Sequence, residues 1–301
     1  MDFDADKGED MDPSCLQYAL TGEERISFDR DGYLVVEDAL EASHVERLIA
    51  TMERLYAEGK YDPEGSSGHS KDPRRHVRTD YLGTDPIFMD LLVHPRTFPK
   101  VWGILGWNIN YYTGDLTISD QEDEGTYDPE GKTLKWHQDS GRSSLDMFEN
   151  DVPARLSIKV GYFLTDLTEA GSGNLWIVPG SQLMRRKDLP PDGQGPPAGA
   201  MPVLAKPGTA VYFDRRLWHS ATKNYSPISR MFITAGYGYR WISPRDEMTA
   251  PADVIERADQ IQRQLLGHST EKGGRYAPTD EDVPLRVWLQ KHQPEALTER
   301  A

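Results

Sequence analysis

The 301-residue chain carries 49 acidic and 34 basic residues, and its formal net charge of −15 disfavours a general attraction to nucleic acid or to anionic membrane surfaces. The length accommodates a sizeable core. The only cysteine, Cys15, excludes an intrachain disulfide and favours a reducing compartment, so we expect a cytoplasmic protein with an exposed, inert thiol. The sequence has neither a long apolar run nor a basic leader, so we expect no membrane span and no secretory signal.

The N-terminal part of the chain predicts a tail followed by small helical and extended elements. Residues 1–22 are acidic and poorly hydrophobic, which is typical of a mobile tail or of a segment that becomes ordered only against a partner. Residues 28–36 predict a helix end, a stop at Gly32 and a short apolar strand. Residues 41–58 place apolar side chains three and four positions apart and predict an amphipathic helix. A long loop rich in glycine, proline and serine follows over residues 59–74.

The next segment predicts more helix, then a strand and an acidic loop. Residues 87–105 are helical in two pieces that Pro95 and Pro99 divide, and residues 109–118 form a strand. The loop over 119–132 is dominated by acidic side chains. It is either an ordinary solvated loop or the cation-attracting rim of an active-site mouth.

Short strands divided by glycine and proline turns fill the remainder of the chain. They are predicted at 155–164, 175–178, 210–213 and 231–237, with a proline-rich loop over 188–202 and an amphipathic helix over 253–266. This order favours a β-sandwich or barrel flanked by helices. We expect a single domain over residues 23–301, with a core at about 26–245 and a C-terminal helix and polar tail over 251–301.

The motif Trp136-His137-Gln138-Asp139 carries the strongest chemical signal. In an extended segment, His137 and Asp139 point to the same face and can hold one cation together. The later histidine that lies among strand-like residues is His219. Two histidines and one carboxylate, with the other coordination positions open, form the ligand set of non-haem Fe(II) oxygenases. A pair of this kind is weak by itself, because a chain with eight histidines can contain one by chance.

Arg230 follows His219 and adds a fourth part to the pattern. A chelating cosubstrate with a distal carboxylate requires a fixed bidentate donor, and a guanidinium provides that geometry better than an ammonium does. The four residues together indicate an iron centre with an anionic cosubstrate.

These residues resemble the phytanoyl-CoA dioxygenase-like (PhyH) family of Fe(II)/2-oxoglutarate oxygenases, as do the segments 28–36, 173–181 and Pro207-Gly208-Thr209. The resemblance covers most of residues 26–245. It implies a double-stranded β-helix, the cupin-like jelly roll, with iron at the mouth of the barrel and O2 as the second cosubstrate. It also implies that His137, Asp139 and His219 are the iron ligands and that Arg230 binds the C5 carboxylate of 2-oxoglutarate.

The same resemblance implies further cosubstrate contacts. The family's hydroxyl residue after the distal histidine falls at Ala221 in this chain, so Ser220 and Thr222 on either side are the candidates. The aromatic position on the strand after the Asp ligand falls at Tyr162, and a basic residue on the N-terminal side of the barrel falls near Arg78.

The function that follows is oxidation of a small organic metabolite, with a place in specialised metabolism. Related halogenases have a small residue where this chain has Asp139, so hydroxylation, desaturation, cyclisation or epoxidation is expected instead. One alternative is a cupin-like metal enzyme that does not use 2-oxoglutarate, against which Arg230 argues. The other is a non-catalytic jelly-roll binding protein. Neither nucleic acid nor a membrane is an expected partner, and the sequence leaves the oligomeric state open.

Overall fold

The computed structural model describes residues 11–63, 72–123, 128, 134–139, 154–184, 197–244, 252–270 and 273–298. The chain divides into two compact units. The sheet unit comprises Glu23–Thr79 and Asp115–Thr234, and the helical unit comprises Met1–Gly22, Asp80–Gly114 and Ala235–Ala301. One domain over 23–301 stays a prediction.

Two sheets form the sheet unit. The larger has the strand order β1-β7-β4-β9-β3-β2 and the smaller the order β6-β5-β8. The strands are β1 (Tyr33–Val36), β2 (Arg75–Thr79), β3 (Ile109–Ser119), β4 (Ser157–Phe163), β5 (Leu175–Ile177), β6 (Met201–Pro202), β7 (Thr209–Asp214), β8 (His219–Ala221) and β9 (Arg230–Tyr239). β3 and β9 continue into the helical unit.

A cluster of buried apolar side chains lies between the two sheets. The larger sheet contributes Phe163, Val211, Phe213 and Phe232, and the smaller sheet and its flanks contribute Leu167, Leu175, Ile177, Val203, Ala205 and Leu217. Because side chains alternate along a strand, the members of this cluster identify the inner face of every strand that contributes to it. That face positions the candidate site.

Two helices flank strand β1, as predicted. Helix α1 (Gly22–Asp31) ends at Gly32, which has a φ of 80° and donates its N–H to Phe28 O at 2.8 Å. Helix α2 (Ala42–Ala57) buries Val45, Leu48, Met52 and Leu55 on one face, as the spacing of its apolar residues predicts.

The helical unit contains the remaining α-helices of the described residues. They are α3 (Pro86–Leu92), α4 (Phe98–Leu105), α5 (Ala252–Arg257), α6 (Gln260–Leu265), α7 (Pro284–His292) and α8 (Glu295–Thr298). The described helices include none long and apolar enough to cross a membrane.

Several expectations for this unit are wrong. The predicted helix over 253–266 is two helices, because Asp259 caps the start of α6 through a reciprocal capping box with Gln262. The predicted polar tail contains α7, which buries Leu285, Trp288 and Leu289. Pro99 does not break a helix but lies in the first turn of α4, where a missing N–H leaves no bond unmade.

The expected exposed thiol is also wrong. Residues 11–22 of the predicted tail are described, and Pro13–Tyr18 form a 3-10 helix in which Cys15 is fully buried. This segment is attached within the helical unit, since Trp288 Nε1 donates to Met11 O at 2.8 Å.

Strand β2 has no counterpart among the predicted elements. Its sequence alternates a single buried apolar residue, Val77, with basic and polar ones, yet it pairs with β3 in antiparallel register. Parts of the three predicted loops, at 64–71, 124–127, 129–132 and 188–196, lie outside the described residues.

Candidate functional site

The structure brings His137, Asp139 and His219 together in the sheet unit. One ligand atom from each lies within 4.8 Å of the others, the spacing of a group that can hold a metal ion. His137 Nε2 is 3.8 Å from Asp139 Oδ1, and His219 Nε2 is 3.6 Å from Asp139 Oδ2. The His219 side chain is 7% exposed and the Asp139 side chain 12%, whereas the His137 side chain is 54% exposed. The site is therefore open on the His137 side.

Backbone hydrogen bonds and side-chain contacts to carbonyls orient both imidazoles. His137 and His219 exchange two backbone hydrogen bonds of 3.0 Å each, as an isolated bridge at the edge of the smaller sheet. His137 Nδ1 lies 3.1 Å from Lys135 O, and His219 Nδ1 lies 2.8 Å from Leu217 O. A proton on each Nδ1 satisfies these carbonyls and leaves both Nε2 lone pairs for a metal.

The turn from Asp214 to Arg216 holds the backbone of the His-Gln-Asp motif. Asp139 N donates to Arg215 O at 2.9 Å, and Arg215 Nη2 returns a bond to Asp139 O at 3.2 Å. Gln138 Nε2 donates to Arg216 O. The carboxylate of Asp139 is thus placed by contacts outside its own segment.

The protonation states suit metal binding. Burial by itself raises the pKa of Asp139, but the ammonium of Lys159 and the two imidazoles hold that pKa well below its usual range. Burial lowers the pKa of His219 to about 4, against the attraction of Asp139. At neutral pH the group offers one carboxylate and a neutral His219 imidazole, the forms that act as ligands.

Arg230 has the character of an anion-binding residue. It is 5% exposed, and its guanidinium lies over the Phe232 ring at 4.3 Å from the centroid. Among the described residues, none accepts a hydrogen bond from its buried Nε. Burial and the neighbouring charge of Arg75 lower its pKa to about 9, partly offset by Asp115. A buried cation with an unused donor is stabilised by an anionic ligand.

The inter-sheet core connects Arg230 with the three-residue group. Arg230 and Phe232 share one face of β9 by alternation, and Phe232 belongs to that core. Phe213 belongs to it as well, and its ring centroid is 5.2 Å from that of His219. Arg230, Phe232, Phe213 and His219 all lie in the sheet unit, on the inner faces of their strands.

The other sequence-predicted residues lie elsewhere. Tyr162 pairs with Ala210 and faces away from the core, because Phe163 beside it faces inward. Arg78 lies on the face of β2 opposite to Arg75 and donates to Asp62 at 3.2 Å. The structure does not bring either side chain to the inner face.

The two hydroxyl candidates differ in position. Ser220 pairs with Trp176 on the face of β8 opposite to His219, where Trp176 packs with other tryptophans. Thr222 donates its hydroxyl to Asn174 O at 3.0 Å, and Asn174 follows Gly173, where an added Cβ would lie 2.6 Å from Arg230 Cδ.

Sequence reasoning missed three charged residues on the inner face, namely Lys159, Arg75 and Asp115. Lys159 lies opposite Phe213 in the β4–β7 register and is 2.8 Å from Asp139 Oδ2. Arg75 shares the face of Asp115 and Thr117, and Asp115 accepts hydrogen bonds from Thr117 and Thr234. The sequence does contain a signal for Lys159, because a charged residue between two apolar ones is unusual in a strand that is otherwise buried.

Comparison with known proteins places these features in a family. The sequence profile described as phytanoyl-CoA dioxygenase (PhyH) matches residues 28–232. An ectoine dioxygenase from Bordetella parapertussis (strain 12822) is 24% identical over 249 residues, which cover 73% of this chain and 75% of that protein.

Solved structures share the fold. The non-heme alpha ketoglutarate dependent epimerase SnoN from nogalamycin biosynthesis has a TM-score of 0.56 at 20% identity and covers 76% of this chain and 82% of its own. HygX from Streptomyces hygroscopicus, solved with nickel and 2-oxoglutarate bound, has a TM-score of 0.57 at 18% identity and covers 78% and 94%. The predicted double-stranded β-helix is confirmed. Since the profile covers about two thirds of its length, the chain belongs to the phytanoyl-CoA dioxygenase (PhyH) family, whose members are 2-oxoglutarate-dependent dioxygenases.

Proposed function

We propose that His137, Asp139 and His219 bind Fe(II) and that Arg230 binds the C5 carboxylate of 2-oxoglutarate. The chain is an Fe(II)/2-oxoglutarate-dependent dioxygenase, with O2 as the other cosubstrate. The observation that supports these residue roles is the three-donor group within 4.8 Å, joined through one apolar core to a buried arginine with an unused donor.

Each residue has a distinct task in this proposal. With iron and 2-oxoglutarate bound, the site supplies oxidation of a C–H bond, coupled to conversion of 2-oxoglutarate and O2 to succinate and CO2. His137 and His219 present their Nε2 atoms, and Asp139 supplies the negative charge. The Arg230 guanidinium fixes the far carboxylate, while Phe213 and Phe232 exclude water between the two ends.

The proposed substrate is a small organic molecule of specialised metabolism. Relatives in this family and fold include an ectoine dioxygenase and an epimerase of nogalamycin biosynthesis. With iron bound, Asp139 would occupy the coordination position that a halide would need, so the proposed outcome is hydroxylation, desaturation, cyclisation or epoxidation. The single cysteine favours the cytoplasm as the place of action.

Anaerobic reconstitution with Fe(II) and 2-oxoglutarate tests the proposal. We expect a weak visible charge-transfer band, together with succinate formation when O2 and a substrate are supplied. The His137→Ala variant is expected to bind less than one equivalent of metal ion per chain and to lose the charge-transfer band. Full iron occupancy in that variant would contradict the ligand assignment.

Arg230→Lys separates the family's chemistry from the two alternatives. The variant keeps the charge but loses the planar bidentate donor. The metal should bind as in the wild-type protein, while the Kd for 2-oxoglutarate should rise by about tenfold or more, equivalent to at least about 1.4 kcal/mol. A cupin-like enzyme without 2-oxoglutarate would bind metal and show no band, and a binding module without iron would fail both measurements.

A further inference from the structure

We propose that Lys159 is a resident cation of the iron site that opposes binding of the metal alone and favours binding of the anionic cosubstrate. This inference rests on the proposed function. It assigns a role to a residue that takes part in neither the metal group nor the Arg230 contact.

The geometry places Lys159 against a metal ligand. Lys159 Nζ lies 2.8 Å from Asp139 Oδ2, the oxygen that is also 3.6 Å from His219 Nε2. The Lys159 side chain is only 14% exposed. Its strand neighbours Ile158 and Val160 are fully buried on the other face, so the register of β4 holds the ammonium on the inner face.

Without a metal, the ammonium supplies the positive charge that the buried carboxylate needs. A buried carboxylate without a partner is strongly destabilising, so this ion pair keeps Asp139 ionised and in place. The other titratable groups that lower the pKa of Asp139 are the imidazoles of His137 and His219. Lys159 thus places an ammonium in direct contact with the Asp139 carboxylate.

A divalent metal that binds Asp139 approaches the same ammonium. The two cations repel each other, and solvent and salt screen that repulsion weakly because the groups are buried. Lys159 also loses part of its attraction to Asp139 when the carboxylate donates to the metal. Both effects weaken metal binding in the absence of an anion.

The dianion 2-oxoglutarate reverses this balance. The ammonium adds positive potential at the metal position, which strengthens binding of a negatively charged chelate. The nearby carboxylate whose pKa is lowered by both Lys159 and Arg75 is Asp115. That carboxylate already accepts hydrogen bonds from Thr117 and Thr234. Lys159 thus couples binding of the metal to binding of 2-oxoglutarate, because its charge is balanced best when both are bound.

Opposed changes in two affinities test the inference. Anaerobic calorimetric titration measures the Kd of Co(II), as a redox-stable probe, and then the Kd of 2-oxoglutarate on the Co(II)-loaded protein. For Lys159→Met we expect Co(II) to bind about tenfold tighter and 2-oxoglutarate about tenfold weaker. If Lys159→Met does not fold without metal, Lys159→Gln is measured in its place.

Two controls keep charge and position separate. Lys159→Arg retains the cation and should shift neither Kd by more than about twofold. Lys206→Met removes a lysine that is 68% exposed, with Glu37 at 3.7 Å, and should shift neither.

A purely structural role for Lys159 predicts a different result, since a loosened site weakens both ligands together. Unchanged affinities, or two affinities that move in the same direction, would overturn the inference while leaving the proposed function intact. A wild-type protein that binds neither Co(II) nor 2-oxoglutarate would instead overturn the proposed function itself.

Discussion

At the scale of the residue, Gly173 limits where the Arg230 side chain can lie. Gly173 has a φ of 79°, and a Cβ built on it would be 2.6 Å from Arg230 Cδ. We expect Gly173→Ala to displace the guanidinium and to raise the Kd of 2-oxoglutarate by about tenfold or more, because bidentate binding tolerates little misplacement. Metal affinity should be unchanged. Both constants are measured by titration of the anaerobic protein.

Gly199→Ala is the matched control for this change. Gly199 has a similar φ of 82°, but a Cβ there would meet no heavy atom of the described residues within 4 Å. Both variants therefore carry the same kind of backbone strain, about 1 kcal/mol, and only one of them collides with Arg230. An equal loss of 2-oxoglutarate affinity in the two variants would show that strain, and not the collision, is the cause.

At the scale of the element, the turn between β7 and β8 anchors the metal-binding segment. Asp214 is fully buried and accepts hydrogen bonds from Arg155 Nε at 2.8 Å and from Arg216 N, Nε and Nη2 at 3.0, 2.8 and 2.6 Å. Because this turn bonds to Gln138 and Asp139, Asp214→Asn should lower the free energy of unfolding by about 3 kcal/mol or more and weaken metal binding. Urea denaturation and metal titration measure the two effects.

The pH dependence of stability tests whether the lost charge of Asp214 causes the destabilisation of Asp214→Asn. Burial raises the pKa of Asp214, but the guanidinium groups of Arg216 and Arg155 lower it below the usual value overall. A lowered pKa stabilises the fold above the unfolded value of about 4, and this stabilisation is lost as the pH falls below that value. The wild-type advantage over Asp214→Asn should therefore shrink below about pH 4. The exposed Asp253, paired with Arg257, provides the control, because Asp253→Asn should change stability by less than about 0.5 kcal/mol.

Strand register explains which site residues the sequence could predict. His137 and Asp139 were predictable because their spacing fixes a shared face within one extended segment, and His219 stood out by its setting. Tyr162 and Lys159 lie on one strand, and which of them faces the core depends on the pairing of β4 with β7. A shift of one residue exchanges the two faces, and no local pattern sets it where both faces are buried, as on β4.

At the scale of the whole molecule, the candidate site and the C-terminal elements belong to different units. Every residue of the metal group, together with Lys159 and Arg230, lies in the sheet unit. The helical unit joins segments distant in sequence, as in the bond from Trp288 to Met11. Burial that depends on such long-range contacts leaves no periodic signal in an acidic N-terminal stretch, so the sequence could not predict that Cys15 is enclosed.

The thiol of Cys15 consequently reports on the integrity of the helical unit. It is fully buried, and burial together with the charge of Asp12 raises its pKa to about 11 from an ordinary value of 9.0. The raised pKa alone lowers the thiolate fraction about hundredfold, so labelling by a thiol reagent at pH 8 should be at least that much slower in the native protein than in denaturant. Ser14→Cys on a Cys15→Ala background puts a thiol at the adjacent exposed position and should react rapidly without denaturant. If the wild-type thiol reacts as fast as that variant, the enclosure of residues 13–18 is wrong; if it reacts slowly, its rate measures the opening of the helical unit.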